Sequence, residues 1–164
     1  MVSYRLLIGI IVSVCLSFFT VFIFLMEDII LLIQLFSSSD PLKVVILMIG
    51  ANFKFDLISF FQSNPNFFAF FSPQLLASIL IGFISGAISI GFKRGLIASI
   101  IVIIIDVLIW ILLSVIYGED LMALFQGAQL SATIGGILTA ILGASTGGIL
   151  GGILTRFITG PHEN

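Results

Sequence analysis

The chain has 164 residues, of which 60% are hydrophobic and only 9% are charged. A soluble domain carries about 25% charged residues, and a chain of this length buries only about 70% of its surface on folding. This composition excludes an ordinary soluble fold and predicts a protein whose partner is the lipid bilayer. The net charge of −2, without a basic patch, also excludes nucleic acid as a partner.

The sequence contains no signature of a metal site, a cofactor or a catalytic centre. Cys15 and His162 are each the only residue of their type, and they lie at opposite ends of the chain. A disulfide or a zinc site of the His/Cys type is therefore not expected. Because there is also no base–nucleophile pair and no pair of intramembrane carboxylates, we expect a protein without cofactor that is not an enzyme.

The first apolar run covers residues 6–26, about the length needed to cross a hydrocarbon core about 30 Å thick. Arg5 precedes this run, and Glu27 and Asp28 follow it. A cleaved signal peptide would have a shorter apolar core and a cleavage site of small residues. We therefore predict an uncleaved first transmembrane helix.

A segment rich in phenylalanine, residues 27–73, separates the first span from the second. Asp40-Pro41 is typical of a helix start and predicts a short helix from Leu42 to Ile49, ending near Gly50. This helix is too short to cross the membrane. We expect an extracytoplasmic, interfacial helical segment that caps the bundle, with a re-entrant element or a docking surface for a partner as the alternatives.

Three further transmembrane helices are predicted, and their bounds are 74–92, 96–117 and 130–158. Ser72-Pro73 is a second helix-start signal, Lys93-Arg94 marks the end of the second span, and Gly118 suits the left-handed position that closes a helix. Residues 119–126, which begin with Glu119-Asp120, are predicted to form a short amphipathic turn. The predicted fold is a single all-α transmembrane domain, a bundle of four transmembrane helices.

The charges flanking the spans predict the orientation of the bundle. With four spans, the basic residues Arg5, Lys93, Arg94 and Arg156 fall on one side, and Glu27, Asp28, Asp40, Asp56, Glu119 and Asp120 fall on the other, together with Lys43 and Lys54. Cytoplasmic flanks are enriched in Lys and Arg. We expect a multi-pass protein of the cell membrane with both termini in the cytoplasm.

The fourth span contains a four-residue repeat of small residues, which we call the glycine rows. Its glycines are Gly135, Gly136, Gly143, Gly147, Gly148, Gly151 and Gly152, and Gly82 and Gly86 lie on a matching face of the second span. Small residues at this spacing let helix backbones approach closely in lipid. The rows therefore predict tight helix packing, either within this chain or against a copy of itself or another subunit.

Asp106 lies near the middle of the third span and is the only charged residue there. A central carboxylate costs about 2.5 to 3.5 kcal/mol on insertion scales, and such residues often mark ion paths. Without a cation nearby, burial favours the protonated form of the carboxyl. We predict that Ser145 and Thr146 lie near Asp106, with Thr139 one to two turns away, as a possible site for a proton or small cation. A packing role and pairing with another subunit's cationic helix are the alternatives.

Two functions remain open from the sequence. The first is a structural or assembly subunit of a larger membrane complex that associates through the glycine rows. The second is a small oligomeric channel, or a transporter coupled to protons or cations, that uses Asp106. The sequence favours the first slightly, because it contains one intramembrane charge and no series of pore-lining residues.

Overall fold

The computed structural model describes residues 4–24, 26–36, 40–62, 70–118 and 126–159. Across these ranges every regular element is an α-helix and no strand occurs, which confirms the all-α class. The helices are α1 (Tyr4–Phe24), α2 (Met26–Phe36), α3 (Pro41–Ala51), α4 (Leu57–Gln62), α5 (Pro73–Ser89), α6 (Phe92–Tyr117) and α7 (Gly127–Thr159). The predicted polar breaks at 37–39 and 63–66 and the acidic pair Glu119-Asp120 lie outside the described residues.

Two of the described helices are long and apolar enough to cross a membrane. They are α6, with 26 residues, and the stretch Gln129–Thr159 of α7, with 31 residues. The other apolar segments, Tyr4–Thr20, Pro41–Ala51 and Pro73–Ser89, are shorter. Length and composition therefore support two of the four predicted spans.

The long helices α1, α5, α6 and α7 form one bundle in which α5 occupies the centre. Helix α5 packs most extensively on α7 and also contacts α1 and α6. The interior contains many polar side chains, whereas large apolar side chains cover the outside. The fully buried polar residues include Ser13, Ser17, Ser85, Ser89, Ser99 and Asp106, and the exposed apolar ones include Ile11, Ile104, Leu108, Leu142, Leu150 and Leu154.

The turn between α5 and α6 differs from the predicted one. We expected the second span to reach Phe92 and to end at the basic pair, but α5 ends at Ser89 and α6 begins at Phe92. Gly91 has a φ of 105°, and its N–H donates to the Gly152 carbonyl at 2.9 Å. Ile90 also has a positive φ, of 49°, so the chain reverses over these two residues and Lys93-Arg94 lies in the first turn of α6.

Two predicted helix ends are confirmed, and a third has an unexpected partner. The Ser72 hydroxyl accepts a hydrogen bond from the Leu75 N–H at 3.2 Å, with Pro73 at the first helical position. Gly118 closes α6 in the left-handed region, with a φ of 84°. Asp40 precedes α3 as predicted, but its carboxylate caps no N–H of that helix and accepts from the Tyr117 hydroxyl at 2.7 Å.

The inner end of helix α3 packs against the long helices of the bundle. Ile49, at its inner end, is 2% exposed, and Phe53, just beyond, is 4% exposed. Both belong to a buried apolar cluster with Ile103 of α6 and with Ala140 and Ala144 of α7. The apolar face of α3 has its best burial between helices, so it packs there and not on the surface.

The direction of α3 follows from contacts at its two ends. Its outer end lies at Tyr117 through Asp40, and just beyond its inner end the Asn52 amide donates to the Ser17 carbonyl at 3.3 Å. The helix has 11 residues and is therefore about 16 Å long. Asp106 precedes Tyr117 by the same number of residues on α6, so the inner end of α3 lies level with Asp106.

Candidate functional site

Asp106 lies at the centre of the bundle, where only 2% of its surface is exposed. Its Oδ1 atom is 2.8 Å from Ser17 Oγ on α1, and Ser17 Oγ is also 2.8 Å from the Val14 carbonyl oxygen. A serine hydroxyl has one hydrogen to donate but can accept further hydrogen bonds. Both contacts are satisfied at once if a protonated Asp106 donates to Ser17 while Ser17 donates to Val14.

Asn52 brings a third element to this site. It follows α3 and is 5% exposed, and its amide nitrogen reaches the backbone of Ser17. Its Oδ1 atom has no hydrogen-bond partner among the described residues. We call Asp106, Ser17 and Asn52 the central cluster.

The hydrogen bonds that the structure gives for Thr146 and Thr139 go to backbone carbonyls and not to Asp106. Thr146 is exposed and donates to the Gly143 carbonyl of its own helix at 2.7 Å, and Ser145 is half-buried. Thr139 is buried, and its single hydroxyl hydrogen lies between two acceptors, the carbonyl oxygens of Phe55 at 3.0 Å and Gly135 at 2.8 Å, so it holds the chain between α3 and α4. The glycine rows turn this part of α7 so that Ala140 and Ala144 face the core beside Ile103.

Sequence reasoning did not identify Ser17 and Asn52 as functional residues. A signal for Ser17 was present, since Gly9, Ser13 and Ser17 recur every four residues and Thr20 follows three later, all on one face of the first span. Asn52 is a single amide in an apolar stretch. Its role depends on the insertion of α3, which no local pattern indicates.

The glycine rows face the other helices of the same chain. An added Cβ on Gly82 would collide with the backbone of Ala144, and one on Gly86 would collide with the backbone of Gly148. The remaining predicted packing glycines also lie against neighbouring elements: Gly135 against Asp56, Gly136 against Phe53, Gly143 against Ser78, Gly147 against Ile79, Gly148 against Ser99, Gly151 against Phe83 and Gly152 against Gly91. The rows thus build the bundle itself.

No family model, curated protein or solved structure matches this chain. In the part of the chain that the structure describes, no group of three or more His, Cys, Asp or Glu residues could hold a metal ion. The central cluster is the site with distinctive chemistry, and its geometry is the basis for a functional proposal.

A cavity of about 360 Å³ lies between α3, α6 and α7, and its lining includes Phe53, Lys54, Trp110 and Thr133. The rings of Phe53 and Trp110 pack with their centroids 5.7 Å apart. Trp110 is one helical turn from Asp106 in the direction of Tyr117. The cavity therefore brings open volume on the α3 side of the bundle to within about one turn of the central cluster.

Proposed function

We propose that the chain is a membrane protein with four transmembrane helices, α1, α5, α6 and α7. Helix α1 has 21 residues and α5 has 17, so both fall within the range of about 17 to 25 residues for transmembrane helices. The exposed apolar surface and the buried polar interior support this assignment, because lipid favours such an arrangement and water does not.

The distribution of charge supports an orientation with both termini in the cytoplasm. The Gly91 N–H donates a hydrogen bond to the Gly152 carbonyl, and Gly9 lies against Ser89, so these four residues share one end of the bundle. Arg5, Lys93, Arg94 and Arg156 are each within about one turn of one of them in sequence. Asp40 lies at the opposite end, beside Tyr117. Under the positive-inside rule the basic end faces the cytoplasm.

Within this bundle, Asp106 binds and releases a proton or a small cation, and the protein is a small channel or ion-coupled transporter. The observation that carries this proposal is the position of Ser17 Oγ, 2.8 Å from both Asp106 Oδ1 and the Val14 carbonyl oxygen. A neutral, protonated carboxyl satisfies this arrangement. An ionised carboxylate, or one bound to a cation, would have to share the single hydroxyl hydrogen with Val14.

The inserted α3 helix supports the same function. Many transporters place their ion sites near the middle of the bilayer, where discontinuous helices end. Helix α3 ends level with Asp106, and Asn52 just beyond it presents a buried oxygen without a partner among the described residues. An oxygen of this kind can accept a hydrogen bond or bind a cation.

The test is ion flux in vesicles reconstituted with the purified protein, followed with a pH-sensitive dye and with a sodium-sensitive dye. Asp106→Asn is expected to abolish flux, because an amide keeps the shape of the side chain but cannot exchange a proton. Asp40→Asn is the matched control, since it removes the same charge at the outer end while its oxygen can still accept from Tyr117. Equal flux in the wild type and in Asp106→Asn would refute the proposal.

A second candidate is a structural or assembly subunit of a larger membrane complex. The observation that favours it is the row of exposed leucines on α7, at positions 138, 142, 150 and 154, which a partner helix could cover. The glycine rows are occupied within the chain, so association would use this leucine row instead. Native mass spectrometry from mild detergent tests this candidate, and a protein that stays a lone monomer speaks against it.

A further inference from the structure

Three serines in the basic half of the bundle have buried hydroxyls without partners. Ser13 on α1 and Ser85 and Ser89 on α5 are each 0% exposed, and none of the described residues hydrogen-bonds to their hydroxyl oxygens. Ser78 on α5 and Ser99 on α6 behave differently, because each donates to a carbonyl three residues earlier in its own helix. Ser114, near the opposite end of α6, is also 0% exposed and has no partner among the described residues. The three in the basic half differ from it in that they lie on two helices that pack against each other, α1 and α5.

The three serines lie along the contact between α1 and α5, on the basic side of Asp106, and we call them the serine file. Gly9 lies between the levels of Ser85 and Ser89, since a Cβ there would be 2.7 Å from Ser89 Oγ and 3.0 Å from the Ser85 carbonyl oxygen. Ser13 is one turn beyond Gly9, and Ser17, which contacts Asp106, is one turn further. Successive positions on α1 are about 6 Å apart. Two hydrogen bonds of about 2.8 Å each, to a water between two hydroxyls, span a similar distance.

Close packing alone does not account for the serines. Alanine allows a similar approach of two helices without a buried hydroxyl, and α5 has Ala77 and α6 has Ala98 at positions that are 0% exposed. A buried polar group without a partner costs about 1 to 3 kcal/mol. Water molecules between the three serines would give their hydroxyls hydrogen-bond partners and so remove this cost.

We infer that the file Ser89–Ser85–Ser13 lines a hydrated path along which protons move between the basic end of the bundle and Asp106. This inference rests on the proposed function and names the proton as its substrate. At each step an oxygen in the file accepts one proton and releases another, so that every O–H bond broken is replaced by one formed. At the inner end Asp106 takes up the proton, and its protonated carboxyl donates to Ser17.

The first test is cysteine accessibility in the full-length protein, reconstituted in vesicles, with Cys15 replaced by serine. Ser85→Cys and Ser13→Cys are treated with a small cationic methanethiosulfonate from the side of the basic end. Ile11→Cys is the matched control, because it lies on α1 between the levels of Gly9 and Ser13 but is 55% exposed on the outer surface. The cysteine thiolate attacks the reagent and displaces its sulfinate, and the thiolate forms in water and not in lipid. We expect the file positions to react at least tenfold faster than Ile11→Cys, and equal rates would overturn the inference.

A second measurement remains informative if a cysteine variant fails to fold. Ser85→Ala removes a hydroxyl without changing the packing, and it should lower proton flux about tenfold, whereas Ser78→Ala, whose hydroxyl is bonded within its own helix, should leave flux unchanged. Unchanged flux in Ser85→Ala, or sodium flux without a pH gradient, would overturn the inference. If Asp106→Asn abolishes flux while the file cysteines stay unreactive, only this path fails. If Asp106→Asn leaves flux intact, the proposed function fails and the path fails with it.

Discussion

Ser17 connects three parts of the bundle through its side chain and its backbone. Its hydroxyl contacts Asp106 and the Val14 carbonyl, and its own carbonyl accepts from Asn52. Interhelical hydrogen bonds in membranes contribute on average only about 0.6 kcal/mol. The consequence of losing this one is larger, because Asp106 would then be a buried carboxyl without its hydroxyl partner.

We therefore expect Ser17→Ala to lower the free energy of unfolding by about 1 to 2 kcal/mol, measured by detergent denaturation. Ser78→Ala is the control, since the Ser78 hydroxyl donates only to the Leu75 carbonyl of its own helix and should contribute close to nothing. Similar losses of unfolding free energy in the two variants would show that the contact between Ser17 and Asp106 does not stabilise the fold. Ser17→Thr retains a hydroxyl and should recover part of the stability.

The contact between α5 and α7 depends on glycines that face backbone atoms. At Gly82 an added methyl group would collide with the Ala144 backbone, which cannot move aside as a flexible side chain could. The expected cost of Gly82→Ala is about 1 to 3 kcal/mol, typical of overpacking, despite the better helix propensity of alanine. Thr146→Ala on the exposed side of α7 is the control and should be nearly neutral, and thermal unfolding in mild detergent measures both. A Gly82→Ala variant as stable as the wild type would mean that the two helices are not in this close contact.

Periodicity predicted the elements of this bundle better than its connections. The four-residue repeat predicted where α7 approaches its neighbours, and the Ser72-Pro73 and Gly118 signals predicted helix ends, because each depends only on local geometry. The turn after α5 was predicted too late in the sequence, because the basic pair Lys93-Arg94 suggested the end of the helix. In the structure the positive φ values at Ile90 and Gly91 mark that end. The insertion of α3 depends on burial of Ile49 and Phe53 against distant helices, which composition does not reveal.

The site was predicted in part for the same reason. Asp106 was identified because a carboxyl in an apolar run is conspicuous on its own. Its hydrogen-bond partner Ser17 was not named, because equal depth along two helices does not determine which faces meet. Helix α7 presents alanines at that level, and Ser17 comes from a helix whose polar face was visible in the sequence but was not used.

The whole molecule has two chemically different ends. The basic end contains the turn at Gly91 and the flanking Arg5, Lys93, Arg94 and Arg156, whereas α3 and Asp40 lie towards the opposite end. The proposed proton path through the basic half, and α3 on the other side, would give Asp106 two distinct approaches. The orientation of the bundle decides which of these approaches faces the cytoplasm and is therefore part of the proposed function.

The orientation itself is open to test. Reporters fused to the two termini, one active only in the cytoplasm and one active only outside, should both report the cytoplasm, because an even number of spans brings the tails to the same side and the basic end stays inside. Replacing Lys93 and Arg94 by glutamine should produce a mixed orientation, since two of the four basic flanking residues are lost. Lys43→Gln is the control, as it removes a positive charge from the outer end and should strengthen the original bias. Tails reporting from opposite compartments would require an odd number of spans, and Asp106 would then lie in a different bundle from the one proposed.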